Sequence, residues 1–146
     1  MGRVADILAR KGAEIRTIPR DATVFDAIKM MVHHNVGSLL VMDAEAVAGI
    51  FTERDFLRRV ALVERDPRQT LVRDVMTERL VCLDPHSSVQ DCMALMTQKR
   101  IRHLPVLDGP RLAGLVSIGD LVRHLSDERE VEVRYLTDYI TGKYPG

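Results

Sequence analysis

The chain has 146 residues, 46% of them hydrophobic and 29% charged, a globular balance that suggests neither a disordered tail nor a fibrous repeat. Its 21 Lys and Arg match 21 Asp and Glu for a pI near 7.0, which excludes broad capture of nucleic acid or an anionic membrane but not a local basic pocket. No apolar run approaches the roughly 20 residues that span a bilayer, and "MGRVADILARKGAEI" lacks the apolar centre of a secretory leader, so the expected compartment is the cytoplasm.

In chain order, "RVADILARK" predicts an N-terminal helix and "RTI" a short strand. "TVFDAIKMMVHH" carries Val24, Ile28, Met31 and Val32 at helical spacing behind Thr23 as N-cap. Two strands follow, "SLLVM" and "VAGIF", joined by the turn "DAEA", and then a helix, "ERDFLRRVALV". The stretch "ERDPRQTLVRDVMTER" is a connector. After it the same order returns: strand "VCL", helix "SVQDCMALMTQK" with Ser88 as N-cap, strands "HLPVL" and "LAGLV" around "DGPR", and helix "IGDLVRHL". A last helix is expected in "DEREVEVRYLTDYI". Cys82 and Cys92 lack CxxC spacing and read as buried free thiols, while Met30, Met31, Met93 and Met96 read as helix packing rather than a thioether site.

The return is a duplication. Sliding the chain by 65 positions aligns its halves without a gap, setting Val24 on Val89, Met31 on Met96, Leu39 on Leu104, Val41 on Val106, Gly49 on Gly114, Asp55 on Asp120 and Arg58 on Arg123. The predicted fold is α+β, with two tandem β-α-β-β-α motifs. Residues 1–65 are assigned to the N-terminal helix and first motif, 66–79 to the connector, 80–125 to the second motif and 126–146 to a C-terminal helix and tail.

Each copy holds one phrase, "GIFTERD" at 49–55 and "GLVSIGD" at 114–120, and two readings fit it. In one, Thr52 with Asp55 and Ser117 with Asp120 are capping boxes that only fasten helix starts. In the other, the hydroxyl and free amides of a helix start favour phosphate, and the carboxylate one turn in accepts hydrogen bonds from a ribose cis-diol. A second stretch, "KRIRHLPV", puts Arg102 and His103 at a strand start, where Arg suits bidentate contact with phosphate. Pro105 removes a strand donor there and offers an apolar ring to a flat base; the alternative is a plain strand end with solvated cations.

The tandem phrase, the "RHLPV" strand and the "VRDVMT" connector together resemble a pair of CBS domains, the module first noted in cystathionine β-synthase, over about residues 14–125. The resemblance implies a stand-alone pair of bacterial type, its two motifs packed through their sheets as a pseudo-twofold module with two clefts that take adenosyl ligands such as AMP, ATP, NAD or S-adenosylmethionine. It implies that Thr52, Arg54 and Asp55 work beside Val81, Cys82, Arg102, His103 and Pro105. It likewise sets Ser117, Gly119 and Asp120 beside Arg16, Thr17, Ile18, Gly37 and Ser38. The aspartates would hold ribose, the hydroxyls phosphate or sugar, and the strand residues adenine. Because Arg102 and His103 replace Gly37 and Ser38 at the repeat offset, the first cleft is expected to prefer a compact phosphate such as AMP, and the second an extended dinucleotide such as NAD.

An enzyme needs a nucleophile with its base, an acid–base pair or a metal, and none is legible. His33 and His34 point about 100° apart on a helix, His86 and His124 lack partners at ligand spacing, and no Walker A or GxGxxG occurs. No catalytic residue, catalytic cofactor or metal is therefore expected. The functional expectation is a regulatory nucleotide-binding module, an energy or redox sensor acting on a partner protein; the alternative is a ligand-free dimeric adaptor. A homodimer forming a four-motif disc is expected from the family resemblance. The apolar stripes of Phe56, Leu57 and Val60 and of Leu121, Val122 and Leu125 are compatible with it. Tyr135, Tyr139 and Tyr144 are expected to lie along the partner subunit or to cap their own domain.

Overall fold

The computed structural model describes residues 2–12 and 15–126. In chain order the elements are α1 (Val4–Lys11), β1 (Thr17–Pro19), α2 (Val24–His34), β2 (Ser38–Asp43), β3 (Ala46–Thr52), α3 (Glu53–Phe56), α4 (Val89–Lys99), β4 (His103–Asp108), β5 (Arg111–Ser117) and α5 (Ile118–Leu125). The chain divides into two compact units, Arg16–Leu80 and Met1–Ile15 with Val81–Gly146. The helix expected in "DEREVEVRYLTDYI" and the roles given to Tyr135, Tyr139 and Tyr144 fall outside the described residues.

In the unit Arg16–Leu80, β1 runs parallel to β2, and β2 antiparallel to β3, in the order β1-β2-β3. Thr23 caps α2 by accepting from the Asp26 amide at 3.1 Å. Asn35 ends the same helix in the left-handed conformation, φ 53°, which asparagine tolerates. The buried face departs from the sequence pattern: Val24, Ala27 and Met31 of α2 meet Leu39, Val41 and Phe51 of the sheet, while Ile28 is only partly buried and Val32, expected on that face, is exposed, because the helix turns it away just before its left-handed end at Asn35. The connector contributes Val72, from a short 3₁₀ turn over Val72–Asp74, and Val75 and Met76, which follow it, to this core. The expected helix "ERDFLRRVALV" is α-helical only over α3 and continues as a π-helical segment, Leu57–Ala61.

The second unit repeats the plan with β4 antiparallel to β5. The repeat extends to irregularities: both hairpins are bulged at the same place, after Val41 and after Val106, and both turn through positive φ, at Ala44 and at Gly109. One strand differs. "VCL" forms only a single bridge, Leu83 to Val106, where β1 makes a three-residue ladder. The cause is Pro105: in the first unit the Leu40 amide donates to the Arg16 carbonyl at 3.3 Å, and proline at the repeat-equivalent position has no proton to give Val81.

The helix α1, grouped with the first motif on sequence order, packs instead on β5 and α5 of the second. Val4 and Ile7 are buried with Leu104, Val116, Leu121 and Leu125. The Val4 and Ala5 amides donate to the Ser87 and Pro85 carbonyls at 2.8 and 2.9 Å. Met31 and Met96 lie in the two cores, as helical spacing required, and Cys92 is fully buried. Cys82 is only half-buried, because the strand that would have enclosed it is cut short.

Candidate functional site

The repeated glycine has a steric cause in both copies. A Cβ on Gly49 would stand 2.6 Å from the Thr77 carbonyl oxygen and 2.8 Å from the Met76 sulfur; one on Gly114 would stand 2.6 Å from Leu8 Cδ2. Each motif's second central strand is thus covered at the same point by a different segment, the connector in one case and α1 in the other. The covering segment also brings a side chain to each aspartate.

In the first unit, Thr52 and Asp55 form a reciprocal capping box. The Asp55 amide donates to Thr52 Oγ1 at 3.2 Å, and Asp55 Oδ2 accepts from the Thr52 amide at 3.0 Å and its hydroxyl at 3.2 Å. Asp55 Oδ1 accepts from Thr77 Oγ1 at 3.0 Å. The carboxylate is buried, and these donors are all neutral. Ser38 pairs with Thr52 across the hairpin, and the Glu53 amide donates to the Gly37 carbonyl at 3.1 Å, so Gly37, Ser38, Thr52 and Asp55 gather at one helix start. Thr17 and Ile18 lie on β1 with Arg16 just before it, and Arg54 is partly buried in the first turn of α3.

In the second unit the box recurs with a different load. Asp120 Oδ2 accepts from the Ser117 amide at 2.9 Å and from Lys11 Nζ at 2.8 Å, and Oδ1 accepts from Arg123 Nη2 at 2.6 Å. Lys11 Nζ also donates to the Leu115 carbonyl at 2.6 Å. Burial pushes the Asp120 carboxyl up, but the hydrogen bonds from Lys11 and Ser117 and the Lys11 charge more than offset it, so the group lies below its usual value. His103 stands across the hairpin from Ser117, and the Ile118 amide donates to the Arg102 carbonyl at 2.8 Å, as Glu53 does to Gly37. Burial, then the Arg102 and Lys11 charges, hold the His103 ring down at about 4 despite Asp120, so it is neutral at pH 7.

Of the remaining residues singled out in the sequence, Gly119 lies in the first turn of α5, and Arg102 is exposed. Pro105 is buried, its carbonyl accepting from the Leu83 amide at 2.9 Å, with Val81 and Cys82 leading into that contact. Sequence reasoning missed Thr77 and Lys11. Carrying the 65-residue repeat back through the connector would have paired Met76 with Lys11 and Thr77 with Gly12, pointing to equivalent covering segments.

The CBS domain family matches residues 4–62 and 72–127. The chain belongs to the CBS-domain family. CBS pairs are regulatory modules that often bind adenine nucleotides. The chain is 45% identical over 129 residues to the mitochondrial CBS domain-containing protein CBSX3 of Arabidopsis thaliana, covering 85% of this chain and 63% of that one. It is 37% identical to the CBS domain-containing protein YhcV of Bacillus subtilis, covering 79% of this chain and 82% of the relative. A solved structure of a protein with CBS domains from Burkholderia ambifaria MC40-6 superposes with a TM-score of 0.83 at 46% identity, covering 87% of this chain and 96% of that one. In CBS terms, each motif here carries its aspartate at the start of its last helix, and the second surrounds it with two cations, Lys11 and Arg123.

Proposed function

We propose that this CBS pair binds an adenine nucleotide, AMP, ATP or an NAD-type ligand, reversibly and without turning it over, and acts as an energy or redox sensor on a partner protein. Asp55 and Asp120 would take the ribose hydroxyls, Thr52 and Ser117 the phosphate or sugar, and the strand residues beside them the adenine. One observation carries the reading. A capping box needs only Ser117 and Asp120, yet this buried carboxylate also holds Lys11 and Arg123, beside a neutral His103. A buried carboxylate whose titration is shifted by a specific charge partner that its helix start does not require is the kind of group that gathers at binding sites.

A ligand can bias the partner only through unequal affinity for two states of the module. Homodimerisation fits the exposed apolar side chains Val32, Leu57, Leu62 and Val63 of the first unit. A second reading, a ligand-free dimeric adaptor, is favoured by the inward-turned Asp55, both of whose oxygens are satisfied by its own chain.

Calorimetric titration of AMP, ATP, NAD and S-adenosylmethionine separates the two. The sensor reading expects saturable binding that Asp120→Ala weakens by about ten- to a hundredfold at its own site, the worth of a charge-assisted hydrogen bond. A variant that binds as before and only melts earlier reduces Asp120 to a cap and supports the adaptor.

A further inference from the structure

The two aspartates differ in what a ribose would have to displace. Asp55 is held by Thr52 and Thr77, neutral groups on its own unit. Asp120 Oδ2 instead carries a lysine ammonium whose side chain is 30% exposed, against 4% for the carboxylate itself. Lys11 sits in the last turn of a well-anchored helix. Val4 and Ile7 are fully buried, Leu8 lies on Gly114, and Arg3 Nη1 donates to the His86 carbonyl at 2.7 Å. The backbone of α1 is fixed while the end of the Lys11 side chain can change partners.

Resting on the reading of Asp120 as a ribose-binding group, we propose that Lys11 makes the Asp120 site selective for phosphorylated nucleosides over neutral or cationic ones. A cis-diol that uses both carboxylate oxygens has to take the place of the ammonium on Oδ2. A nucleotide gives the ammonium a new partner, its phosphate, so the charge-assisted bond moves rather than vanishes. Adenosine offers nothing in exchange, and a sulfonium ligand adds a like charge. Arg123 discriminates less, because its side chain is 73% exposed and its charge is screened by water. His103 is neutral and adds no charge of its own.

The test uses an Asp55→Asn background, so that only the second aspartate reports, and calorimetric titration with AMP and with adenosine. With Lys11 present, AMP is preferred over adenosine; Lys11→Met lowers that preference by about ten- to a hundredfold, mainly by improving adenosine, and Lys11→Arg restores it. Far-UV circular dichroism confirms that α1 remains in each variant. If the background protein and its Lys11→Met derivative both bind AMP and prefer it over adenosine by the same factor, the role of Lys11 is overturned and the nucleotide site stands. Failure of AMP and adenosine to bind any of the proteins overturns the nucleotide site, and the role of Lys11 falls with it.

Discussion

Gly49→Ala and Gly114→Ala are the same change at equivalent points of the repeat, and the structure assigns them different consequences. The new methyl at 49 meets the Thr77 carbonyl oxygen at 2.6 Å. That oxygen cannot withdraw cheaply, because residue 77 is bonded to Ile50 in both directions, Thr77 amide to Ile50 carbonyl at 2.9 Å and Ile50 amide to Thr77 carbonyl at 3.0 Å. At 114 the close atoms all belong to the Leu8 side chain, which can change rotamer. Overpacking against fixed atoms costs about 1–3 kcal/mol, and alanine returns about 0.4–1 kcal/mol by restricting the unfolded chain. Gly49→Ala is therefore expected to lose up to about 2.6 kcal/mol, and Gly114→Ala, relieved by a rotamer change of Leu8, to be the less destabilised of the two. Urea unfolding followed by circular dichroism measures both, at unchanged slope if only stability has moved. A Gly114→Ala variant as unstable as Gly49→Ala, or more so, refutes the contrast between backbone and side-chain cover.

Thr77→Val removes the donor to Asp55 Oδ1 and should cost about 1–3 kcal/mol by urea unfolding, since a buried charged oxygen loses its partner. His103, held down at about 4 in the fold against 6.5 when unfolded, binds its proton later than the unfolded chain does, so stability falls as pH drops from 6.5 to 4. The slope due to this one group is at most about 1.4 kcal/mol per pH unit and should disappear in His103→Gln; an NMR titration of the ring near 6.5 would contradict it. Asp120 runs on a separate window: its folded value is depressed, so its contribution is complete above the usual carboxylate range and is lost as pH falls through the folded value. The stability difference between the parent and Asp120→Asn should accordingly shrink on acidification below about 4. Burial pushes the Cys92 thiol up to about 12, and the half-buried Cys82 less far, so a thiol reagent at about pH 8 should label Cys82 well before Cys92 in the native protein.

Much of the motif was legible because its signals are local. Thr23 and Ser88 cap the helices they precede, and of the apolar positions at helical spacing Val24, Met31, Val89, Cys92 and Met96 are buried, whereas Val32 is exposed. Pro105 shortened its neighbouring strand by the rule that a proline cannot donate, although "VCL" alone reads as a strand. The placement of α1 was not legible, since Lys11 and Asp120 meet across 109 residues and nothing in "RVADILARK" names its partner. Nor did "FLRRVA" forecast a π-helical segment, its composition suiting an ordinary α-helix equally well. At the aspartates the sequence offered a cap and a ligand site as alternatives. The geometry shows the cap realised twice and a cationic surplus at Asp120, which is where the two copies part company.

The claim that the paired carboxylates bind sugar is tested most directly by removing the sugar's hydroxyl instead of the protein's acid. Titrations of AMP and 2′-deoxy-AMP should differ by about ten- to a hundredfold in the parent protein, and the difference should vanish when Asp55 and Asp120 are both changed to asparagine. Equal affinity of the two nucleotides for the parent protein would contradict the account, because a carboxylate that ignores a missing hydroxyl is fastening only its own helix.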